Sequence, residues 1–264
     1  MVEQEKIKQY SPQEFAEALN VITRIGVIML QSGASSFRTK DTMDRFAALL
    51  GIEQFNAFVT PTKIIGIVNG SELNYTRAMR IPVLGVNMAR VSAMHIFSHH
   101  PPQALTPSGL SKWLEYLAAE EPNYAPSTVV AAVAAACGSF AIILGGGPLE
   151  FAAAAIGAAC GQAVRMRLAA RHVNPYLITA VCATIASLIS YFLMALTAAP
   201  TPRIGLIASV LFLVPGVPLV TALLDLIHLD LISGVTRGVY ATILLINIGV
   251  GMLLVLALTG FSIL

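Results

Sequence analysis

The sequence predicts an α-helical integral membrane protein, with five transmembrane helices preceded by a small α+β cytoplasmic domain. Three observations predict it. The chain has 264 residues, 56% hydrophobic and only 11% charged, with a mean hydropathy of +0.75, whereas an ordinary soluble domain carries about 25% charged residues. The charge is unevenly spread: residues 1–126 hold 22 charged side chains, balanced in sign, and residues 127–264 hold only 8. So poor a stretch is built to face lipid. It also divides into five apolar runs, about 127–144, 149–168, 176–198, 204–224 and 238–260. Each is near the ~20 residues that a helix needs to cross a hydrocarbon core of about 30 Å. The domain boundary therefore falls between 1–125 and 126–264.

Within the first domain, residues 1–10 read as a polar arm without the apolar core of a signal peptide. Ser11, Pro12 and Glu14 form a capping box with proline at the first helical position. Phe15, Leu19, Ile22, Ile25, Ile28 and Met29 then recur at helical spacing until Gly33. A second helix, capped by Ser35 or Ser36, runs through Met43, Phe46, Ala47 and Leu50 to Gly51. Two β-type runs follow, about 54–60 and 63–68. An Asn69-Gly70 hairpin turn then leads into Glu72–Arg77. Helices over about 86–99 and 106–119, separated by Pro101-Pro102, complete the domain, and Glu120-Glu121-Pro122 ends it.

In the apolar half, Gly145-Gly146-Gly147-Pro148 leaves room only for a hairpin between the first two spans. Arg165, Arg167 and Arg171 cluster between the second and third. The positive-inside rule makes that side cytoplasmic, with the first domain also inside and the C-terminus outside. Gly157 and Gly161 form a GxxxG face that lets another backbone approach closely. Thr179, Thr184, Ser187 and Ser190 lie on nearby turns of the third span, where hydroxyls ordinarily bond back to their own helix.

The fourth run carries the chemistry. Pro215, Gly216 and Pro218 interrupt an otherwise continuous apolar stretch, and paired prolines break a helix rather than bend it. Broken backbone at membrane depth survives where protein buries it or water reaches it. Half-helix N-termini in transporters favour an anionic group there, while the bland alternative is a structural kink. Thr221 and Asp225 follow on the same segment, and Arg237 is the nearest basic residue in sequence, a candidate counter-ion. An acid within a span is functional or paired. With His228 and Asp230, Asp225 is expected to mark the cytoplasmic rim rather than a metal site.

Several classes fall away. A net charge of +2 without a basic run argues against nucleic acid. Cys137, Cys160 and Cys182 lack disulfide or zinc spacing and read as packing residues. No GxxxxGK[ST] occurs, so an ion gradient rather than ATP is expected to drive any transport. No cofactor or metal is expected. His95, His99 and His100 lie at a spacing open to zinc, which keeps a membrane-anchored hydrolase as the alternative. Neither HExxH nor GxSxG accompanies them. Arg77 and Asn87 are candidates to hold a carboxylate if the first domain senses a ligand.

The stretch Leu213-Val-Pro-Gly-Val-Pro-Leu-Val220, then Asp225, then Gly234-x-x-Arg237, resembles the hallmark block of the threonine/serine exporter family. Leu30-Gln-Ser-Gly-Ala34, Thr76-Arg77, Gly85-Val-Asn-Met88 with His95, and Asn174-Pro175 resemble further family positions. Full-length members join a second hydrophobic unit in the same chain. Here the chain stops four residues after Gly260, and so resembles the split form, in which a YjjP-type subunit works with a smaller YjjB-type membrane subunit. The resemblance implies export across the inner membrane of a small carboxylate-bearing metabolite, a dicarboxylate such as succinate or threonine and serine. It implies Pro215, Gly216, Pro218, Thr221, Asp225 and Arg237 as the substrate-binding set, and His95 as a family position in the cytoplasmic domain. Assembly into an oligomer is open.

Overall fold

The computed structural model describes residues 11–69, 74–82, 85–101, 105–119 and 124–260. The expected polar arm, Gly70 and Glu72 of the hairpin, Pro102, and Glu120-Glu121-Pro122 lie outside the described residues. Two compact units emerge. The first comprises Met1–Glu121 with Val217–Val239, the second Pro122–Gly216 with Tyr240–Leu264.

In the first unit, α1 (Pro12–Gln31) opens on the expected capping box. The Ser11 amide donates to Glu14 Oε2 at 2.8 Å, and the Glu14 amide to Ser11 Oγ at 3.3 Å. Gly33, at φ +91°, ends the helix turn, and the Ala34 amide closes back on the Met29 carbonyl at 3.0 Å. α2 (Ser36–Leu49) takes Ser35 as its N-cap, whose Oγ accepts the Arg38 amide at 3.2 Å.

A three-stranded antiparallel sheet follows in the order β1 (Phe55–Val59), β2 (Lys63–Asn69), β3 (Asn74–Arg80). Pairing runs from Asn69 opposite Asn74 to Lys63 opposite Arg80, so β3 extends three residues beyond the expected Arg77. Alternation puts Ile64, Gly66 and Val68 on the core face. A Cβ at Gly66 would lie 3.0 Å from Leu19 Cδ1 and 3.1 Å from Thr23 Oγ1, so the glycine lets α1 lie close on the sheet.

α3 (Met88–His99) and α4 (Pro107–Ala119) complete the N-terminal part of the unit. Phe97 stacks on Trp113 with ring centroids 4.2 Å apart and on Phe46 at 5.8 Å, joining α2, α3 and α4 in one core with Ile22, Met43, Leu110 and Leu114. The same unit contains α9 (Gly216–Ile227) from Val217 onward and the head of α10 (Leu231–Thr259). Ser233 Oγ donates to the Val59 carbonyl at 3.2 Å, fastening α10 to the end of β1.

In the second unit, α5 (Pro126–Ile143), α6 (Pro148–Ala170), α7 (Pro175–Thr197) and α8 (Pro202–Ser209) each begin on a proline. The missing N–H is one that a first turn leaves unpaired anyway. Gly145, at φ +93°, makes the tight α5–α6 hairpin. Among the described residues three helices, α5, α7 and α10, are long and apolar enough to cross a membrane. A fourth is gained if Pro202–Leu213 and Gly216–Ile227, a bent pair, count as one span. α6 covers the expected 149–168 run and extends past both its ends, to 23 residues, but it carries Glu150, Gln162, Arg165 and Arg167. Apolar side chains such as Ile143, Leu196 and Leu253 stand exposed on α5, α7 and α10, the arrangement of a multi-pass membrane protein in lipid.

The GxxxG face packs as its sequence suggests. A Cβ at Gly157 would sit 2.6 Å from the Ala186 carbonyl and 3.3 Å from the Cβ atoms of Ser190 and Ser209. One at Gly161 would sit 2.8 Å from Phe212 Cζ. Both α7 and the broken fourth segment therefore rest on these two glycines.

The sequence reading passed over Glu150. It is fully buried and accepts the Gly147 amide at 2.8 Å, the Thr201 amide at 2.9 Å and the Thr201 hydroxyl at 2.8 Å. One carboxylate thereby ties the start of α6 to the residue before α8.

Two outcomes follow for stability in bilayers or bicelles. Gly157→Leu destabilises by roughly 1–3 kcal/mol through overpacking, whereas Gly249→Ala, with nothing within 4 Å of the added Cβ, is neutral. Glu150→Ala strands two amides and a hydroxyl and costs roughly 2–3 kcal/mol, read as a lowered unfolding midpoint.

Candidate functional site

The expected break is present, and its main chain is accounted for. α8 ends at Ser209, one 3-10 turn spans Leu211–Leu213, and α9 starts at Gly216. In an uninterrupted helix the amides at 215 and 218 would bond the carbonyls of Leu211 and Val214. Proline supplies neither. The Val214 amide instead donates to the Leu211 carbonyl at 3.1 Å, and the Gly216 amide to the Val214 carbonyl at 2.8 Å. Both freed acceptors are thus repaired within the turn. The first turn of α9 is correspondingly poor in donors: the Gly216 amide is used and Pro218 has none. Two of the four donors that a helix N-terminus would offer an anion are thereby removed.

The amides that do hold a carboxylate belong to α2. Asp225 is fully buried rather than solvated at a rim. Its Oδ1 accepts the Ser36 amide at 2.8 Å, and its Oδ2 accepts the Ser36 hydroxyl at 3.1 Å. The Phe37 amide donates to the same carboxylate. Arg237 Nε lies 3.2 Å from Oδ2, so the pairing of Asp225 with Arg237 suggested by the sequence is realised. The guanidinium is 3% exposed as a residue and is fixed from two further sides. Nη1 donates to Thr221 Oγ1 at 3.1 Å and Nη2 to the Ala34 carbonyl at 3.0 Å. Thr221 Oγ1 in turn donates to the Val217 carbonyl at 2.8 Å. Thr221, Asp225 and Arg237 therefore form one network with Ala34, Ser36 and Phe37.

Neighbouring contacts crowd the Gly33 turn. A Cβ there would meet the Gly85 carbonyl at 3.1 Å and Val217 Cγ1 at 3.3 Å. The Gly85 and Asn87 amides donate to the carbonyls of Gln31 and Ser32, each at 2.9 Å. Phe37 stacks on His228 with centroids 3.9 Å apart.

The other candidates are placed separately. Arg77 is exposed on β3 opposite Gly66. Asn87 is the N-cap of α3, its Oδ1 accepting the Arg90 amide at 3.1 Å, so helix capping already employs it. His95 is exposed, and its ring stands 4.2 Å from that of His99, whose Nδ1 lies 2.8 Å from the His95 carbonyl. Desolvation, then His99, Arg38 and Arg45, hold the His95 imidazole below its ordinary range. Among the described residues no group of three His, Cys, Asp or Glu is arranged to hold a metal ion.

On α7, Thr179 and Thr184 bond back to the carbonyls of Pro175 and Ala180, both at 2.9 Å. Ser187 and Ser190 do not follow. Their hydroxyls are buried without a hydrogen-bond partner among the described residues.

Severing the network tests it. Asp225→Ala or Arg237→Met alone leaves a buried charge unpaired and costs roughly 3–5 kcal/mol, whereas the double variant costs less than the sum. The readout is a double-mutant cycle of unfolding free energies on the full chain.

A family pattern described as "Putative threonine/serine exporter" matches residues 20–259. The chain is 28% identical over 253 residues, 92% of its length and 97% of the relative's, to a protein of Escherichia coli (strain K12) named "Probable succinate transporter subunit YjjP". It is 25% identical over 236 residues, 88% of its length and 90% of the relative's, to a protein of the same name from Klebsiella aerogenes. No solved structure matches. Since the family match spans nearly the whole chain, including the proline break, Asp225 and Arg237, the chain belongs to the threonine/serine exporter family of membrane transporters.

Proposed function

We propose that this chain is one subunit of a secondary exporter of small carboxylate-bearing metabolites, completed by a second, YjjB-like membrane subunit. Residues 1–125 form its cytoplasmic domain and residues 126–264 its membrane domain. The membrane domain crosses the inner membrane five times, with the C-terminus outside. Five crossings leave the two ends on opposite faces, which suits an inverted repeat that a partner completes. An ion gradient drives the cycle.

One observation carries this reading. A helix broken at Pro215, Gly216 and Pro218 continues into a segment whose Asp225 and Thr221 are engaged by a buried Arg237, in a chain of an exporter family. Ionisable groups in such a segment mark substrate or ion pathways. Pro215, Gly216 and Pro218 open the backbone, Thr221 and Asp225 line or gate the path, and Arg237 balances charge. The names of the two relatives favour a dicarboxylate such as succinate, and the family description favours threonine or serine. The unpartnered hydroxyls of Ser187 and Ser190 add a polar stretch to α7.

Counterflow of labelled succinate, threonine and serine into proteoliposomes, with and without the partner subunit, decides among them. Expected is saturable uptake of at least one, reduced about tenfold or more by Arg237→Lys, since fork geometry is lost. Absence of flux for all three, with the partner present and under proton and sodium gradients, overturns the reading.

A further inference from the structure

The carboxylate of Asp225 occupies a cradle whose donors come almost wholly from elsewhere in the chain. The Ser36 and Phe37 amides and the Ser36 hydroxyl come from α2, and the guanidinium from α10. Simple helix capping does not require this arrangement. α2 already has a local cap, because Ser35 Oγ accepts the Arg38 amide. A second, fully buried acid brought from 189 positions along the sequence goes beyond it. Nor does Arg237 depend on Asp225 for its position, since the Ala34 carbonyl holds Nη2 from the α1–α2 turn. Oδ1 meets an amide and Oδ2 a hydroxyl, while Arg237 Nε lies 3.2 Å from Oδ2 yet makes no hydrogen bond among the described residues. That is a desolvated set of carboxylate donors with one buried guanidinium N–H left over, assembled at a helix N-terminus.

The group that fills the cradle hangs from a short helix between two turns. α9 is bounded by the Val214–Gly216 turn at one end and, at the other, by Leu229 at φ +63° before α10 begins. A carboxylate presented in line with Nε would pair that donor as well as the α2 donors that Asp225 engages. Displacement of Asp225 then exchanges one occupant of the cradle for another, as a two-state element requires.

We infer that this cradle, formed by Ser36, Phe37 and Arg237, is the binding site for the carboxylate of the transported metabolite, and that Asp225 fills it as a tethered surrogate which the metabolite displaces. The inference rests on the transport reading and gives it a chemical site. The ligand class is a small mono- or dicarboxylate. Chloride, lacking a planar pair of oxygens, is not an equivalent occupant.

The test uses the full chain with its partner subunit, and thermal unfolding as the readout. Succinate, acetate, threonine and chloride are titrated at constant ionic strength. Asp225→Ala empties the cradle, so succinate or acetate should restore its stability saturably, at a concentration about tenfold or more below that which affects the wild type. Asp225→Ala with Arg237→Met should not respond. If Asp225→Ala does not fold, Asp225→Asn serves, because a neutral side chain competes more weakly and the carboxylate midpoint again falls below the wild-type value. Equal midpoints in wild type and variant, or a folded variant indifferent to both carboxylates, overturn the cradle. Binding and flux are read apart. Flux without a carboxylate response removes the cradle and leaves the transport reading, whereas a response without flux does the reverse.

Discussion

The first unit is organised around a buried ion pair that the chain could not leave half-made. Removing a carboxylate and a guanidinium from water costs several kcal/mol for each ion, and their mutual attraction repays it only with near-complete hydrogen bonding. Asp225 and Arg237 approach that by recruiting Ser36, Phe37, Thr221 and Ala34, with Nε the guanidinium nitrogen that makes no hydrogen bond among the described residues. One charge pair thereby fixes the α1–α2 turn, α9 and the head of α10 with respect to one another. It explains why Val217–Val239 groups with the N-terminal residues although some hundred positions of apolar helix intervene in the sequence. Gly33 is the steric counterpart, since a side chain there would strike Gly85 and Val217.

Much of this was legible where the signal is local. The Ser11–Glu14 capping box, the helix end at Gly33, the β-type runs near 54–60 and 63–68 and the GxxxG face each involve neighbours within a turn or two, and each appears where the pattern puts it. The proline break is legible for the same reason. Asn87 falls inside the expected 86–99 helix, whereas the helix starts at Met88 with the Asn87 side chain as its cap. Asp225 was read as a rim residue because sequence separation hides Ser36 from it. Glu150 was overlooked inside an apolar run, although Gly147-Pro148-Leu149-Glu150 carries the third-position acid of a capping box. What a carboxylate does locally could be read, and which distant helix end it reaches could not.

The break also clarifies where an anion site can and cannot arise. Two prolines remove two donors, and the chain restores both orphaned carbonyls with the amides of Val214 and Gly216. The interruption is thus self-contained, and it removes two of the four amides that a half-helix N-terminus would otherwise present. Its consequence is mechanical: it frees α9 from continuity with α8, so that α9 follows its own contacts.

The two halves of this arithmetic lead to one step. A donor-poor α9 brings an acid, and a donor-rich α2 end, reinforced by Arg237, receives it. Were the pair there for stability alone, apolar residues of similar volume would serve as well or better, because buried ion pairs seldom exceed a hydrophobic replacement. A carboxylate on a segment bounded by a turn at each end has a property that an apolar contact lacks, which is that another carboxylate can take its place among the same donors. In a transporter family, a buried acid whose partners would accept an exchange is better understood as an occupant than as a rivet.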